Sequence, residues 1–179
     1  MLTQAGVLFE VRAPAFDEEL AKQGDDRDGE ALARRMAEGK ASSLAGEGQD
    51  WIIGSDSTIT IDGVRYSKPR DRAEAARHLQ EFSNRTMLLS SAVALAHQGR
   101  VDWSHAETAR LHVRKLSESF IQSYLDQEWP AVGYCVGVFR MEGRGVTLFD
   151  RVEGSHFTIL GMPLIPLLGA LRERGLITA

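Results

Sequence analysis

The stretch Trp51-Ile52-Ile53-Gly54-Ser55-Asp56-Ser57-Thr58-Ile59-Thr60-Ile61-Asp62-Gly63 decides how this chain reads. It opens on an apolar run, alternates with period two from Thr58 to Ile61, and ends in the Asp-Gly pair favoured in two-residue hairpin turns. A strand pair is predicted, with Asp56 inside or at the end of its first strand. A carboxylate beside a buried strand needs a partner, a metal or a raised pKa, because burying the bare charge is costly. A strand-end cap and a chemical role both remain open for it at this level. Upstream, residues 30–44 place Leu32, Met36, Ala37 and Leu44 near one face, the spacing of an amphipathic helix with Lys40 at the boundary of that face. Downstream, Lys68-Pro69 follows the returning strand, and Asp71 with Glu74 resembles a capping box for a helix ending near Phe82. Further strands are predicted at 86–96, 109–113 and 146–149, with helices at 117–127 and 163–174, the last stopped by Gly175. Residues 1–6 read as a final helical turn capped by Gly6.

Composition bounds the function. With 179 residues, 43% hydrophobic and 26% charged, the chain reads as one globular domain over residues 1–179. The net charge of −4 offers no basic field for a long nucleic acid. The acidity is local: Asp17, Glu18, Glu19, Asp25, Asp26, Asp28 and Glu30 face only Lys22 and Arg27 within 17–30, which reads as a solvated loop leading into the helix. The single cysteine, Cys135, forms no internal disulfide, which fits a reducing cytoplasm, and it reads as a buried strand residue. The apolar run 159–168 is broken by Gly161, Pro163 and Pro166 and falls short of the roughly 20 residues a membrane helix needs, so no membrane partner is expected. No export signal is expected either.

The ordered set Gly6-Val7-Leu8-Phe9-Glu10-Val11, Phe16-Asp17-Glu18, Lys40-Ala41, Ile52-Ile53-Gly54-Ser55-Asp56, Lys68-Pro69, Trp129, Arg151-Val152-Glu153-Gly154 and Leu160-Gly161-Met162-Pro163-Leu164 resembles the Maf family of nucleoside triphosphate pyrophosphatases, first described as septum-formation inhibitors. The resemblance implies an α/β fold of the Maf/ITPase kind, with a mixed twisted sheet, flanking helices and two lobes around a central cleft. It implies cleavage between the α and β phosphates to a nucleoside monophosphate and pyrophosphate, a divalent cation such as Mg²⁺ or Mn²⁺, and a homodimer. The family's first strand and Ser-x-Ser-x-x-Arg loop have no counterpart here, and an upstream continuation of the reading frame is the expectation. Gly39, Asn84 and Ser91 depart from the family's usual Glu, Gly and Thr.

Carried residue by residue, the resemblance makes Asp56 the general base, Lys40 and Lys68 the cations that meet the phosphates, and Asp17 and Glu18, with Asp56, the carboxylates for the metal or its water. From the residues alone, Asp17 and Glu18 read equally as solvated loop charges, Lys40 as an ordinary helix lysine and Lys68 as a turn lysine. Ser57 and Glu142 occupy the family's base-specificity positions. The chain keeps the Glu of the 7-methyl-GTP branch but neither subgroup's residue at 57. A carboxylate suits a guanine N1–H and a cationic 7-methylated ring. Phe139, Phe149 and Phe157 read as core. The rival expectation is a catalytically impaired nucleotide-binding protein of the cell-division kind.

Overall fold

The computed structural model of the chain describes residues 1–18, 21, 28–44 and 50–178. Much of the acidic loop predicted over 17–30 therefore lies outside the described residues. Strand β1 runs unbroken over Trp51–Ile61, which puts Asp56 at its middle. Asp62 and Gly63 follow at φ 51° and 80°, the left-handed pair that a type I′ turn demands. The chain returns as β2 (Val64–Tyr66), antiparallel to β1 with Ile61 opposite Val64.

Helix α1 (Gly29–Ser43) begins at Asp28, whose carboxylate accepts the Ala31 N–H at 2.8 Å. Helix α2 (Arg72–Phe82) begins at Asp71, which accepts the Glu74 N–H at 2.7 Å. Glu74 reaches back to the Arg70 N–H at 2.8 Å, one residue further than in a capping box, and also grips the Arg70 guanidinium. That side-chain bond holds the Glu74 carboxyl down to about 2.

Strand β3 (Thr86–His97) turns through Gln98 and Gly99 into β4 (Arg100–Val113). The sequence predicted strand only over 109–113. Arg100, Val101 and Asp102 are exposed, so no alternating apolar face marks the first part of β4. Helix α3 (Glu118–Glu128) is capped by Ser117, whose hydroxyl accepts the Phe120 N–H at 3.2 Å. The strand predicted at 146–149 is a 3₁₀ turn over Arg144–Leu148, and β5 occupies Phe149–Glu153 instead. Gly145 explains the difference: a Cβ there would meet the Arg140 carbonyl at 2.5 Å, so the segment doubles back on itself. Short α4 (His156–Ile159) precedes α5 (Leu164–Glu173). Gly175 ends α5 in a Schellman motif, with Leu176 N–H on Leu171 O at 3.0 Å and Gly175 N–H on Arg172 O at 2.9 Å. Gly6 makes the same cap, with Val7 N–H on Leu2 O and Gly6 N–H on Thr3 O, each at 3.1 Å.

The result is an α/β architecture in which helices flank a five-stranded sheet of order β2-β1-β3-β4-β5, its two outer pairs antiparallel. Among the described residues, no helix is long and apolar enough to cross a membrane. The chain forms two compact units, to both of which β1, β3 and β4 contribute. The first comprises Met1–Ser57, Ser90–Glu107 and Ser155–Ala179. In it the two faces of β3 differ. Val93 and Leu95 pack with Leu164, Leu167 and Leu171, whereas Ala92, Ala94 and Ala96 pack with Ala33, Ala37 and Ala41 of α1. The second unit, Thr58–Leu89 and Thr108–Gly154, buries Ile59, Leu79, Phe82, Leu111, Ile121 and Leu125, each worth roughly 1.5–3 kcal/mol of transfer free energy.

Candidate active site

In the first unit, small residues let backbone approach backbone. A Cβ on Gly54 would lie 2.3 Å from the Ala37 carbonyl and 2.6 Å from the Ala41 nitrogen, so α1 rests directly on β1 at this point. That contact carries Lys40, in the last turn of α1, to Asp56 two residues beyond Gly54. Lys40 Nζ donates to Asp56 Oδ1 at 2.5 Å and to Glu18 Oε1 at 2.8 Å. Phe16 covers Gly39, where a Cβ would meet the ring at 2.4 Å, and the packing of that ring sets the chain two residues before Glu18. The three charged side chains are 18%, 10% and 32% exposed for Lys40, Asp56 and Glu18. Burial acts to lower the Lys40 pKa, but the bonds to Asp56 and Glu18 outweigh it and hold the ammonium above its ordinary value. A cation so placed lies between the Asp56 and Glu18 carboxylates and donates to both. Asp17 is exposed, and its carbonyl accepts the Ala21 N–H at 3.1 Å.

Ser57 leaves the other face of β1, as period two requires. Its Oγ lies 2.7 Å from the buried Ser91 Oγ, which in turn donates to the Thr158 carbonyl at 2.7 Å. The single Ser91 proton is thereby used, so Ser57 is the donor to Ser91. On the same face Ser55 Oγ lies 2.9 Å from Ala92 O and 2.8 Å from Gly161 O. The structure thus joins Lys40, Glu18 and Asp56 and turns Ser57 away from them. The sequence reading passed over Ser55, whose place two residues before Ser57 in a strand was the available signal.

In the second unit, Lys68 is exposed two residues after β2, and Glu142 is exposed in the turn at 141–143 that precedes the 3₁₀ turn Arg144–Leu148. Both charges act on the half-buried Cys135. Burial pushes its thiol pKa up, the charge of Glu142 adds to the rise, and Arg140 and Lys68 oppose it. Cys135 closes the 3₁₀ turn Ala131–Tyr134 and is half-buried, which corrects its reading as a strand residue: the Gly-bearing segment turns before any strand begins. Phe139 is buried edge-on to Phe149 at 5.0 Å, and Phe157 packs against the leucine cluster of the first unit, as core residues do. Two groups went unnoticed in the sequence. Glu128, on the inner face of α3, accepts from Arg140 at 2.8 Å, and Tyr124 donates to the Val138 carbonyl at 2.9 Å. An acid four residues after a buried Tyr on one helix face was the signal.

Among the described residues, no cluster of three His, Cys, Asp or Glu side chains is set to hold a metal ion. The donors at hand, the carboxylates of Glu18 and Asp56 on one ammonium, suit a hard cation that takes one or two carboxylates and completes its shell with substrate phosphates and water.

A charged carboxylate–lysine centre on β1, an inner strand of an α/β sheet, is the class of site that the fold and geometry define. The family model for Maf-like proteins matches residues 1–174, and this chain belongs to that family. It is 42% identical over 183 residues to the 7-methyl-GTP pyrophosphatase of Rhizobium meliloti (strain 1021), with 100% of this chain and 92% of that protein covered. It is 40% identical over 181 residues to the nucleoside triphosphate pyrophosphatase of Nitrobacter winogradskyi, covering 99% and 89%. The 7-methyl-GTP pyrophosphatase of Rhizobium etli is 37% identical over 181 residues, covering 99% and 91%.

Proposed function

We propose that residues 1–179 act as one Maf-like domain that hydrolyses nucleoside triphosphates to a nucleoside monophosphate and pyrophosphate. The observation that carries this reading is the Lys40–Asp56 contact at 2.5 Å on β1, and the activities for which the relatives are named agree with it. In this reading, Asp56 accepts a proton from a water molecule whose oxygen attacks the α-phosphorus. The bond from that phosphorus to the bridging oxygen breaks, and the electron pair leaves with pyrophosphate. Lys40 orients Asp56, and Lys40 and Lys68 supply positive charge against the departing phosphates. Glu18 and Asp56, with Asp17 next to Glu18 in the chain, would hold a divalent cation together with phosphate oxygens, and that cation would supply further neutralisation of phosphate charge. Glu142 reads the base. As an acceptor-only anion it favours the N1–H and exocyclic amine of guanine, and a cationic 7-methylguanine above that. Ser57, bonded to Ser91, contributes to the substrate site through its remaining lone pairs. Because Lys40 fixes the Asp56 carboxylate in position and the relatives are named as pyrophosphatases, hydrolysis is favoured over a purely nucleotide-binding role.

The test is product analysis on a panel of GTP, 7-methyl-GTP, UTP and dTTP. Equimolar monophosphate and pyrophosphate, with guanine nucleotides preferred, is the expected result. Release of orthophosphate and diphosphate would overturn the assigned bond, and no turnover of any member would restore the binding-protein reading.

A further inference from the structure

The segment that carries Glu142 is held in place by two side chains of α3 that the proposed chemistry does not use. Val138 sits at φ 55°, in the left-handed region that a β-branched residue rarely adopts, so its conformation needs outside support. Tyr124, buried, supplies it by donating to the Val138 carbonyl at 2.9 Å. One turn further along the same face, the Glu128 carboxylate is only 7% exposed and accepts from the Arg140 guanidinium at 2.8 Å. A carboxylate that deep is stable only with its partner, so the pair fixes Arg140, two residues before Glu142. From the other side, Gly143 donates its N–H to the Arg140 carbonyl at 3.1 Å and lies over the Glu128 carboxylate, where a Cβ would be 3.6 Å from one oxygen. Gly145 packs on the Arg140 backbone, and Phe139 is wedged against Phe149. Glu142 is the exposed acid at the crown of this over-determined turn.

We infer that Tyr124 and Glu128 are positioning residues for base selection: they clamp residues 138–143 to α3 and thereby fix where the Glu142 carboxylate stands. This rests on the reading of Glu142 as the group that meets the base. The clamp acts on the placement of one acceptor, so loosening it changes discrimination between bases more than it changes handling of the triphosphate common to all substrates.

The experiment measures kcat/KM for 7-methyl-GTP, GTP and UTP with the parent, Tyr124→Phe, Glu128→Gln, Glu142→Gln, and each clamp variant combined with Glu142→Gln. Melting curves establish that each variant is folded. If Glu128→Gln does not fold, Tyr124→Phe, which removes one hydroxyl, carries the test. The expected result is that Glu142→Gln lowers the guanine-to-uracil ratio about tenfold or more, each clamp variant lowers it about three- to tenfold, and neither lowers it further once Glu142 is replaced. If Glu142→Gln shifts the ratio but the clamp variants scale all three nucleotides equally, or still act in the Glu142→Gln background, the clamp inference is overturned and the base reading stands. If Glu142→Gln leaves the ratio unchanged, the base reading fails and takes the inference with it.

Discussion

The two units hold their charged groups by different means. In the first, Lys40 and Asp56 project from a 15-residue helix and an 11-residue strand. Their spacing follows from direct backbone contact at Gly54. In the second, Lys68 and Glu142 sit in connecting segments, and placement of the latter depends on side-chain bonds from α3. Groups on packed regular elements keep their geometry to a fraction of an ångström, whereas groups on loops are as accurate as the contacts that brace them. A bond-breaking centre gains most from the first arrangement and a base-reading group can be retuned through the second.

The comparison breaks most directly at Asp56. Asp56→Asn preserves size but removes the proton acceptor, and hydrolysis should fall about 10²- to 10⁴-fold, beyond what the loss of the Lys40 pair, about 1–3 kcal/mol of stability read by melting, accounts for. Activity within a few-fold of the parent would move the chemistry off β1. The matching change in the second unit, Glu142→Gln, should cost guanine nucleotides roughly 1.5–3 kcal/mol of transition-state binding while pyrimidine turnover survives. A uniform loss across bases would erase the distinction between the units.

Gly54→Ala sharpens the structural side. The new methyl group meets α1 backbone, which cannot swing aside as a side chain can, and about 1–3 kcal/mol of stability should be lost. Thermal melting reads that loss, and an unchanged melting temperature would mean that α1 does not rest on Gly54. The remaining effect is electrostatic. The folded Lys40 pKa stands above its ordinary 10.5, so its ion pair stabilises the fold fully below that pH and loses its contribution as pH rises through the folded value. The stability gap between the parent and Lys40→Met, about 1–3 kcal/mol at neutral pH, should close in strong alkali. Denaturant titrations from pH 7 to 12 check this, and a constant gap would show that the lysine charge is not what holds Asp56 and Glu18.

Much of this was legible in local chemistry. Alternation before Asp62-Gly63 gave the first hairpin, Asp71 and Ser117 gave two helix starts, and Gly6 and Gly175 gave two helix ends, because caps and turns are decided by residues within four positions of one another. The start of β4 was not legible, since Arg100, Val101 and Asp102 are all exposed and show no alternating apolar face, and it is the neighbouring β3 that makes them strand. The 3₁₀ turn at Arg144–Leu148 was missed for a related reason: Gly145 reads as turn or strand until the Arg140 backbone is found against it.

The candidate site divides along the same line. The sequence by itself named Asp56, Lys40, Lys68, Glu18 and Glu142 through residue type and resemblance. Only the tertiary structure decided that Lys40 and Glu18 meet Asp56, that Ser57 faces away toward Ser91, and that Glu128 and Tyr124 brace the Glu142 turn. These are contacts across helix–strand and helix–loop packing. Their distances are set by how closely Gly54 lets two backbones approach and by which buried charge must find a partner, and neither can be read from spacing along the chain.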